Sequence, residues 1–278
     1  VVATFASARA LSHAAQRLRR RARIHVKVET GTQRQGVPIA DLPAFIRACM
    51  RLPHLEIVGC STHLADVEDT GIDGFAALQL ERFDRATTVA EHVTHRHLLR
   101  HASASAATML FLSARFDLIR LGIALYGLWP SDRVRAIMER RSPTFHLSPV
   151  LSWKTIAGPM HNVTKRAPVG YGCTERVRRP TRIAVLPIGY WDGYDRKLSS
   201  VGDVLIRGRR CKVIGRICMN MIMVDVTNVP RVRLEDEVIV IGRSGRQEVT
   251  ADALAGMIGT INYEVVTRIN PMLPRRIV

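Results

Sequence analysis

The pattern of apolar and polar positions changes character part-way along the chain. In residues 1–142, short runs rich in β-branched residues alternate with stretches in which apolar residues recur at helical spacing. Strands that alternate with helices in this way predict parallel βαβ units. The predicted strands are Val1–Phe5, Ile24–Val28, Leu55–Ser61, His97–His101 and Phe116–Tyr126, and the predicted helices are Ser7–Arg20, Asp41–Arg51, Gly74–His92 and Ala104–Leu112.

From residue 143 onward, short apolar runs follow one another between Gly, Pro and Asp turns, which is typical of antiparallel β-structure. The predicted strands are Val150–Ile156, Arg182–Pro187, Val204–Ile206, Cys211–Ile217, Met221–Val226 and Glu237–Ile241, followed by a helix at Thr250–Ile258 and a closing strand at Glu264–Ile269. We therefore predict an α/β domain at 1–142 and a β-rich domain at 143–278. The first has room for roughly four or five βα units, whereas a complete (β/α)8 barrel takes about 250 residues.

The composition is that of a globular protein. Of the 278 residues, 47% are hydrophobic and 23% are charged, which is enough apolar material for one large core or two modest ones. No apolar run reaches the ~18 residues of a membrane span, and the N-terminus lacks a secretory pattern. We expect a cytoplasmic protein without membrane association. The cysteines show no paired spacing, so we expect neither a metal site nor disulfides; they are Cys49, Cys60, Cys173, Cys211 and Cys218.

The strongly basic charge raises the question of nucleic-acid binding. The formal net charge is +17, and the segment Arg17–Arg23 is rich in arginine, as in many nucleic-acid-binding proteins. Aromatic residues, however, make up only 5% of the chain, and arginines also occur singly along its whole length. Because charge runs usually solvate a surface, we favour a solvated helix end and expect no nucleic-acid partner.

Several polar side chains stand at predicted strand ends or in the loops after them, where parallel α/β folds place their active sites. Lys27 lies near one strand end with Arg34 in the loop beyond it, and His63 ends another strand. Taken alone, Lys27 fits a salt-bridged surface residue and His63 a structural histidine. Arg120 is different because it lies inside an apolar run, where a guanidinium needs a partner or a ligand to offset its desolvation.

Two tyrosines stand beside glycines in the β-rich half. Tyr171 lies in Val169-Gly-Tyr-Gly-Cys-Thr174, and Tyr190 lies in Leu186-Pro-Ile-Gly-Tyr-Trp-Asp-Gly193, with an arginine-rich segment between them. The ordinary pKa of a phenol is about 10, so a tyrosine base needs a cationic or hydrogen-bonding neighbour.

A set of short motifs occurs in order along nearly the whole chain. They are Lys27 to Arg34, Cys60-Ser-Thr-His63, Ile119-Arg-Leu-Gly-Ile-Ala-Leu-Tyr-Gly127, Val169-Gly-Tyr-Gly172, Pro187-Ile-Gly-Tyr190, Gly215-Arg-Ile-Cys-Met219 and Gly259-Thr-Ile-Asn-Tyr263. Together they resemble the alanine racemase family. The resemblance implies that 1–142 is the C-terminal part of a (β/α)8 TIM barrel that binds pyridoxal 5′-phosphate (PLP). It also implies a mainly antiparallel β domain that carries the catalytic tyrosine, in a homodimer whose active sites are shared between subunits.

The resemblance also implies roles for individual residues. Tyr171 matches the tyrosine that moves the α-proton on one face of the substrate. Arg120 matches the arginine that faces the PLP ring nitrogen and keeps it unprotonated. His63 matches a histidine between that arginine and the tyrosine, which gives a hydrogen-bonded route for lowering the pKa of the phenol. Arg34 matches a residue that contacts the cofactor ring oxygen and the substrate carboxylate, and Lys27 matches a lysine that is often carbamylated and then holds this arginine.

The remaining matches concern the phosphate and the substrate. The phosphate site is matched by Ser105, by the backbone of Gly122 and Ile123, and by Tyr263. Met219 matches a residue whose backbone amide helps to bind the substrate carboxylate. Tyr190 is similar to a tyrosine that narrows the substrate entrance, and it fits a hairpin-corner aromatic equally well.

The sequence departs from the family at the lysine that binds PLP. In the family this lysine lies on the first barrel strand, in a segment such as Val-Lys-Ala-Asn-Ala-Tyr-Gly-His, which does not occur here. The lysines present are Lys27, Lys154, Lys165, Lys197 and Lys212. Without the family lysine, one of the two proton-transfer bases is also missing. We therefore expect a piece that lacks the N-terminal third and is inactive alone.

The predicted function is the PLP-dependent interconversion of L-alanine and D-alanine for peptidoglycan precursors. One alternative is a racemase of the same fold for another small amino acid such as serine, because the matched residues do not determine the side chain. A second alternative is a non-catalytic remnant of the fold, and a nucleic-acid-binding module is a more distant one.

Overall fold

The structure is a computed structural model that describes residues 1–68 and 74–278. In these residues the chain forms two units, Val1–Ser148 and Pro149–Val278. None of the helices described has both the length and the hydropathy that crossing a membrane requires.

A parallel sheet forms the centre of the first unit. Its strands are β1 (Ala22–Glu29), β2 (Val37–Pro38), β3 (Leu55–Ser61) and β4 (Leu99–His101). Its α-helices are α1 (Phe5–Arg17), α2 (Leu42–Met50), α3 (Phe75–Thr94), α4 (Ser105–Leu110) and α5 (Asp132–Arg141). The sheet order is β2-β1-β3-β4, and every pair is parallel. These are the parallel βαβ units that the alternating pattern predicts.

Local capping helps to determine where the helices of the first unit begin. The hydroxyl of Thr4 accepts a hydrogen bond from the amide of Ser7 at the start of α1. Ser131 accepts one from the amide of Val134 at the start of α5. Each cap satisfies an amide that has no partner within its helix, which typically stabilises the helix by about 1 kcal/mol.

The two faces of β1 differ in polarity, and this difference places the candidate site. The residues on the face that packs with the helices are almost completely buried: Ile24, Val26 and Val28. The residues that alternate with them along the strand are polar and half-buried: His25, Lys27 and Glu29. Since successive side chains of a strand point to opposite faces, the three polar side chains lie on the face of the sheet away from the helices.

Antiparallel sheets make up most of the second unit. The strands are β5 (Trp153–Ile156), β6 (Met160–Val163), β7 (Pro168–Val169), β8 (Glu175–Arg176), β9 (Thr181–Leu186), β10 (Asp203–Ile206), β11 (Arg209–Lys212), β12 (Ile222–Asp225), β13 (Glu237–Ser244) and β14 (Gln247–Val249). One sheet has the order β11-β10-β13-β14 with β5 also paired to β13, a second has the order β12-β9-β6, and β7 and β8 form a hairpin. Two helices follow, α6 (Ala251–Ile258) and α7 (Asn262–Thr267).

The predicted strand Phe116–Tyr126 is wrong. Phe116 has a positive φ of 46°, and the carboxylate of Asp117 accepts a hydrogen bond from the amide of Arg100 at 2.8 Å. The chain therefore turns into a loop that ends in a short 3-10 helix, Ile123–Tyr126. The apolar run that suggested a strand includes Leu118, Ile119 and Leu121, whose surfaces are 40–42% exposed.

Two further predicted strands are also wrong. In Val1–Phe5, Val2 pairs with Val26 in an isolated bridge, but Thr4 caps α1 and the helix begins at Phe5. The predicted closing strand Glu264–Ile269 is largely helix α7. Buried Val265 and Ile269 are four residues apart, which is a helical spacing that the short apolar run concealed.

Among the elements that were not predicted from the sequence, two are mostly polar. Helix α5 buries Val134 and otherwise carries many charged residues. Strand β6 has no buried residue and lies at the edge of the sheet β12-β9-β6. Neither element carries a strong apolar periodicity, because little of its surface faces a core.

Candidate active site

The guanidinium of Arg120 lies at the centre of a polar cluster in the first unit. Its Nη1 is 2.5 Å from Nδ1 of His101, and its Nη2 donates to the carbonyl oxygens of Thr62 at 2.9 Å and Ala102 at 3.0 Å. Burial lowers the pKa of Arg120, but an arginine side chain stays charged in a protein. Three acceptors therefore fix the plane of a half-buried cation. The sequence predicts that a guanidinium in this apolar run needs a partner, and these three acceptors fill that role.

The loop that carries Arg120 is attached to the sheet by its backbone. The amide of Arg120 donates to the carbonyl of Ser103 at 3.0 Å, and the amide of Asp117 donates to the carbonyl of Arg100 at 3.2 Å. Both acceptors lie on β4 or just after it. The position of Arg120 is thus determined by β4, although Arg120 is not itself part of a strand.

His63 lies just beyond the end of β3 and is half-buried. Its carbonyl accepts a hydrogen bond from the hydroxyl of Thr32 at 2.5 Å. Burial, followed by the positive charges of Arg34, Arg120 and Lys27, lowers the pKa of His63. The three cations that the sequence analysis selects therefore all act on His63 and favour its neutral form.

Lys27 is also affected by the other selected cations. Its Nζ donates to Oε1 of Gln35 at 3.4 Å. Burial, followed by the charges of Arg34 and Arg120, lowers the pKa of this amine. A larger fraction of Lys27 is consequently neutral at a given pH than for an exposed lysine.

Glu29, which the sequence analysis does not select, anchors the loop that carries Arg34. Its carboxylate accepts a hydrogen bond from the amide of Gly31 at 2.5 Å. Burial by itself raises the pKa of Glu29, but hydrogen bonds from the backbone amides of residues 31–34 outweigh burial and lower it. The signal in the sequence was its alternation with His25 and Lys27 along β1.

Backbone amides converge on the hydroxyl of Ser105 at the start of α4. Its Oγ accepts hydrogen bonds from the amides of Gly122 at 3.1 Å and Ala124 at 3.2 Å. Ser105 is 3% exposed and the intervening Ile123 is 6% exposed. The space beside Gly122 is open, because a Cβ there would come no closer than 3.9 Å to Ser105 Oγ. Neutral donors and open space at one point form a site that suits a phosphate.

Two histidines that the sequence analysis does not select complete this cluster. Nε2 of His101 is 2.7 Å from Nδ1 of His25, a residue of β1. Burial, followed by the charges of Arg120 and His25, lowers the pKa of His101 to about 4. Only their positions in the sequence could have indicated these two histidines. His101 ends the strand beside the one that leads to His63, and His25 shares a face of β1 with Lys27.

In the second unit, Tyr171 lies at the tip of the β7–β8 hairpin, and 71% of its surface is exposed. Gly170 and Gly172 on either side of it have φ values of +74° and +73°, which glycine adopts without strain. The side chain of Arg216 lies against Gly172, where a Cβ would be 2.7 Å from Nη1. The glycines therefore allow both the sharp turn and the contact with Arg216.

Tyr190 and Met219 lie next to each other in the second unit. The amide of Tyr190 donates to the carbonyl of Cys218 at 3.1 Å, and the amide of Trp191 donates to the carbonyl of Met219 at 2.8 Å. A Cβ on Gly189 would overlap both carbonyl oxygens. The side chains of Tyr190 and Met219 stay partly exposed, by 43% and 56% for the whole residues.

The segment Gly215–Met219 links the candidate residues of the second unit. The hairpin of Tyr171 contacts its beginning, and the loop of Tyr190 contacts its end. Tyr263 lies on α7 and is half-buried. The chain just after α7 is joined to the Tyr190 loop, because the amide of Asn270 donates to the carbonyl of Asp192 at 3.0 Å.

Comparison with known proteins finds matches over most of the chain. The family model of the alanine racemase N-terminal domain matches residues 1–130, and that of the alanine racemase C-terminal domain matches residues 150–277. An alanine racemase of Symbiobacterium thermophilum is 42% identical over 96% of this chain and 68% of its own length. This chain belongs to the alanine racemase family. An alanine racemase of Leptospira interrogans serogroup Icterohaemorrhagiae serovar copenhageni is 41% identical over 92% of this chain and 66% of its own length.

Solved alanine racemases share the fold. The one from Streptomyces coelicolor A3(2) has a TM-score of 0.87 at 32% identity, and the match covers 99% of this chain and 71% of that one. The one from Bacillus anthracis, solved with bound L-Ala-P, has a TM-score of 0.81 at 31% identity, and the match covers 90% of this chain and 63% of that one. The predicted family and fold class are confirmed. The chain spans about two thirds of the length of the curated relatives that it matches.

Proposed function

We propose that this chain provides the arginine-bearing and tyrosine-bearing parts of an enzyme that interconverts L-alanine and D-alanine with PLP. The proposal rests chiefly on the half-buried guanidinium of Arg120, which is held by His101 and two carbonyl oxygens in a member of the alanine racemase family. The product D-alanine would serve peptidoglycan precursors in the cytoplasm. The expectation that the chain binds no nucleic acid stays a prediction.

The residues of the first unit fit PLP. A pyridine ring that carries a phosphate needs a fixed partner for the ring nitrogen and converging donors for the anion. Arg120 offers the first. Two residues further along the same loop, Gly122 contributes to the donors for the anion. Its amide points at Ser105 Oγ, and there is open space beside it. When bound, PLP supplies the electron sink that makes the α-proton of the amino acid acidic.

Arg120 would determine how strong that electron sink is. A guanidinium only donates hydrogen bonds and does not give up its proton, so the ring nitrogen facing it stays unprotonated. PLP would then be a weaker electron sink. A weaker sink would favour return of the proton over slower side reactions.

Tyr171 would move the proton on one face of the α-carbon. The exposure of its side chain at a hairpin tip leaves the phenol free to enter a site. We propose that the site belongs to the second subunit of a homodimer, to which Met219 would contribute a backbone amide for the substrate carboxylate. The exposed Tyr171, Tyr190 and Met219 support this, because a partner subunit would cover them.

Arg34 would bind the substrate carboxylate, and Lys27 would position it after carbamylation. The lowered pKa of Lys27 supports this step, because only a neutral amine reacts with CO2. In the reaction, the amine nitrogen bonds to the carbon of CO2 and loses a proton, which leaves a carbamate anion. The anion would form a charge-assisted pair with Arg34.

We also propose that the 278-residue chain alone does not racemise alanine, because none of its five lysines lies in the family's cofactor segment. Incubation with PLP, reduction with borohydride and mass spectrometry test this. We expect no stoichiometric adduct on any single lysine. A full adduct on one of them, with racemisation, would contradict the proposal.

The activity itself is tested with a fusion that places the first third of the Leptospira interrogans alanine racemase before Val1. Chiral chromatography then measures the conversion of L-alanine and of L-serine. We expect alanine to be racemised faster; a preference for serine would favour the alternative substrate. A folded fusion that binds PLP and converts neither would indicate a non-catalytic member of the family.

The role of Tyr171 is tested in the same fusion with Tyr171→Phe, which removes only the phenolic oxygen. We expect a loss of at least about a hundredfold in kcat, the usual contribution of an acid–base group. Tyr126→Phe is the matched control, since Tyr126 is likewise exposed, by 57%, and has no assigned role. Equal rates for the two variants would remove the role assigned to Tyr171.

A further inference from the structure

Two histidines extend the hydrogen bonds of Arg120 into the parallel sheet. His101 is 3% exposed. Its Nδ1 is 2.5 Å from Arg120 Nη1, and its Nε2 is 2.7 Å from His25 Nδ1. We propose that His101 and His25 form a directed chain of neutral imidazoles that holds the guanidinium of Arg120 in place. Both are then positioning residues, and their effect on catalysis rests on the function proposed above.

The direction of this chain follows from the donors and acceptors available. A guanidinium has only donors, so Nδ1 of His101 must accept from Arg120. A neutral imidazole that accepts at Nδ1 carries its proton on Nε2. His101 therefore donates from Nε2 to Nδ1 of His25, and His25 carries its own proton on Nε2. Each ring is restricted to one of its two tautomers.

A charged His101 would be incompatible with this arrangement. Protonated at both nitrogens, its ring would direct an N–H group at the N–H group of Arg120 and bring two positive charges together. Burial and the charges of Arg120 and His25 lower the pKa of His101 to about 4. Burial, the amino terminus and Arg23 also lower the pKa of His25. Both rings are consequently neutral at neutral pH.

The sheet provides the space in which the two rings meet. His25 on β1 is in register with Gly59 on β3, and His101 on β4 follows in the next strand. A Cβ on Gly59 would lie 2.7 Å from Nδ1 of His25 and 2.6 Å from the carbonyl oxygen of Leu99. Only a glycine on the middle strand leaves room for the contact between rings that come from the strands on either side.

The chain explains how Arg120 keeps one orientation although it lies in a loop. Two of its acceptors are backbone carbonyls, and the third is a ring that could turn about its own side-chain bonds. The bond from His101 to His25 stops this rotation, because a turned ring would lose its partner in a buried site. Arg120 is thus connected to β1 as well as to β4.

The first test needs no cofactor and no activity. The 278-residue chain is labelled with ¹⁵N at histidine, and the ring nitrogens are observed by NMR at neutral pH. We expect both His25 and His101 to show the neutral form protonated at Nε2, assigned by loss of each signal in His25→Gln and His101→Asn. Exposed His13 serves as the internal reference. A cationic ring, or a proton on Nδ1 of His101, would overturn the proposal whatever the activity of the protein.

The second test compares two substitutions at His101 in the fusion enzyme. His101→Asn keeps an oxygen near the position of Nδ1 that accepts from Arg120, whereas His101→Leu keeps none. We expect His101→Leu to lower kcat at least about tenfold with a smaller change in KM, as for other residues that orient a catalytic group. His101→Asn should recover most of this loss. Equal losses in two folded variants would overturn the positioning role. An inactive parent fusion whose NMR shows both expected tautomers would reject the proposed function and leave the imidazole chain supported.

Discussion

Acidification should destabilise the first unit through His101. This ring has a pKa lowered from 6.5 to about 4 in the folded chain, so between these values the unfolded chain binds a proton that the folded chain does not. The free energy of unfolding therefore falls as the pH decreases through this window, and above it the contribution of His101 is constant. Burial lowers this pKa most, followed by repulsion from Arg120, His25 and the amino group of Val1.

The size of the effect follows from the shift. A tenfold change in proton affinity corresponds to about 1.4 kcal/mol, so complete loss of the His101 contribution lowers the free energy of unfolding by about 3 kcal/mol. About 2 kcal/mol of this is expected between about pH 7 and about pH 5. His101 is 3% exposed, so little of the effect is screened by solvent.

Urea unfolding followed by far-ultraviolet circular dichroism measures the effect at several pH values across this window. His101→Asn is the control, because asparagine does not titrate while the other histidines remain. The wild-type chain should lose about 2 kcal/mol more than this variant on going from about pH 7 to about pH 5. Parallel stability curves for the two proteins, or a wild-type chain that becomes more stable in acid, would refute a buried neutral His101.

Two further predictions concern packing and are measured by the same unfolding experiment. Phe83 is completely buried, so Phe83→Ala should lower the free energy of unfolding of the first unit by about 3–5 kcal/mol. Leu112 is 70% exposed, so Leu112→Ala should change this free energy by less than about 0.5 kcal/mol. Similar effects of the two substitutions would show that the core is wrongly located. Gly189→Ala should destabilise the second unit by about 1–3 kcal/mol because its Cβ overlaps the carbonyl of Met219. Gly256→Ala, in α6 with open space around it, should stabilise by about 0.5–1 kcal/mol, and a loss of stability there would contradict the helix.

Much of the fold could be predicted because its signals are local. Strand β1 alternates buried and polar residues, and α6 begins at a capping threonine, Thr250. Both were predicted within a few residues. The errors at Phe116–Tyr126 and Glu264–Ile269 came from short apolar runs, whose composition does not distinguish a strand from a helix or an apolar loop.

The candidate site was likewise predictable only in part. The sequence indicated that Arg120 needs a partner, since a guanidinium in an apolar run cannot remain without one. It did not identify His101, 19 residues earlier, or His25, 76 residues before His101. Glu29 was likewise missed, because its role depends on the loop amides that fold back onto it.

By itself, the sequence determined the alternation of strands and helices, the family, and the residue types from which a site is built. These depend on spacing along the chain, which the sequence displays directly. Only the tertiary structure decided which of these residues meet, because parallel strands bring together side chains that are far apart in sequence. The contact of His25 with His101 across Gly59 is the clearest case, since it depends on how three strands that are distant in sequence lie beside one another.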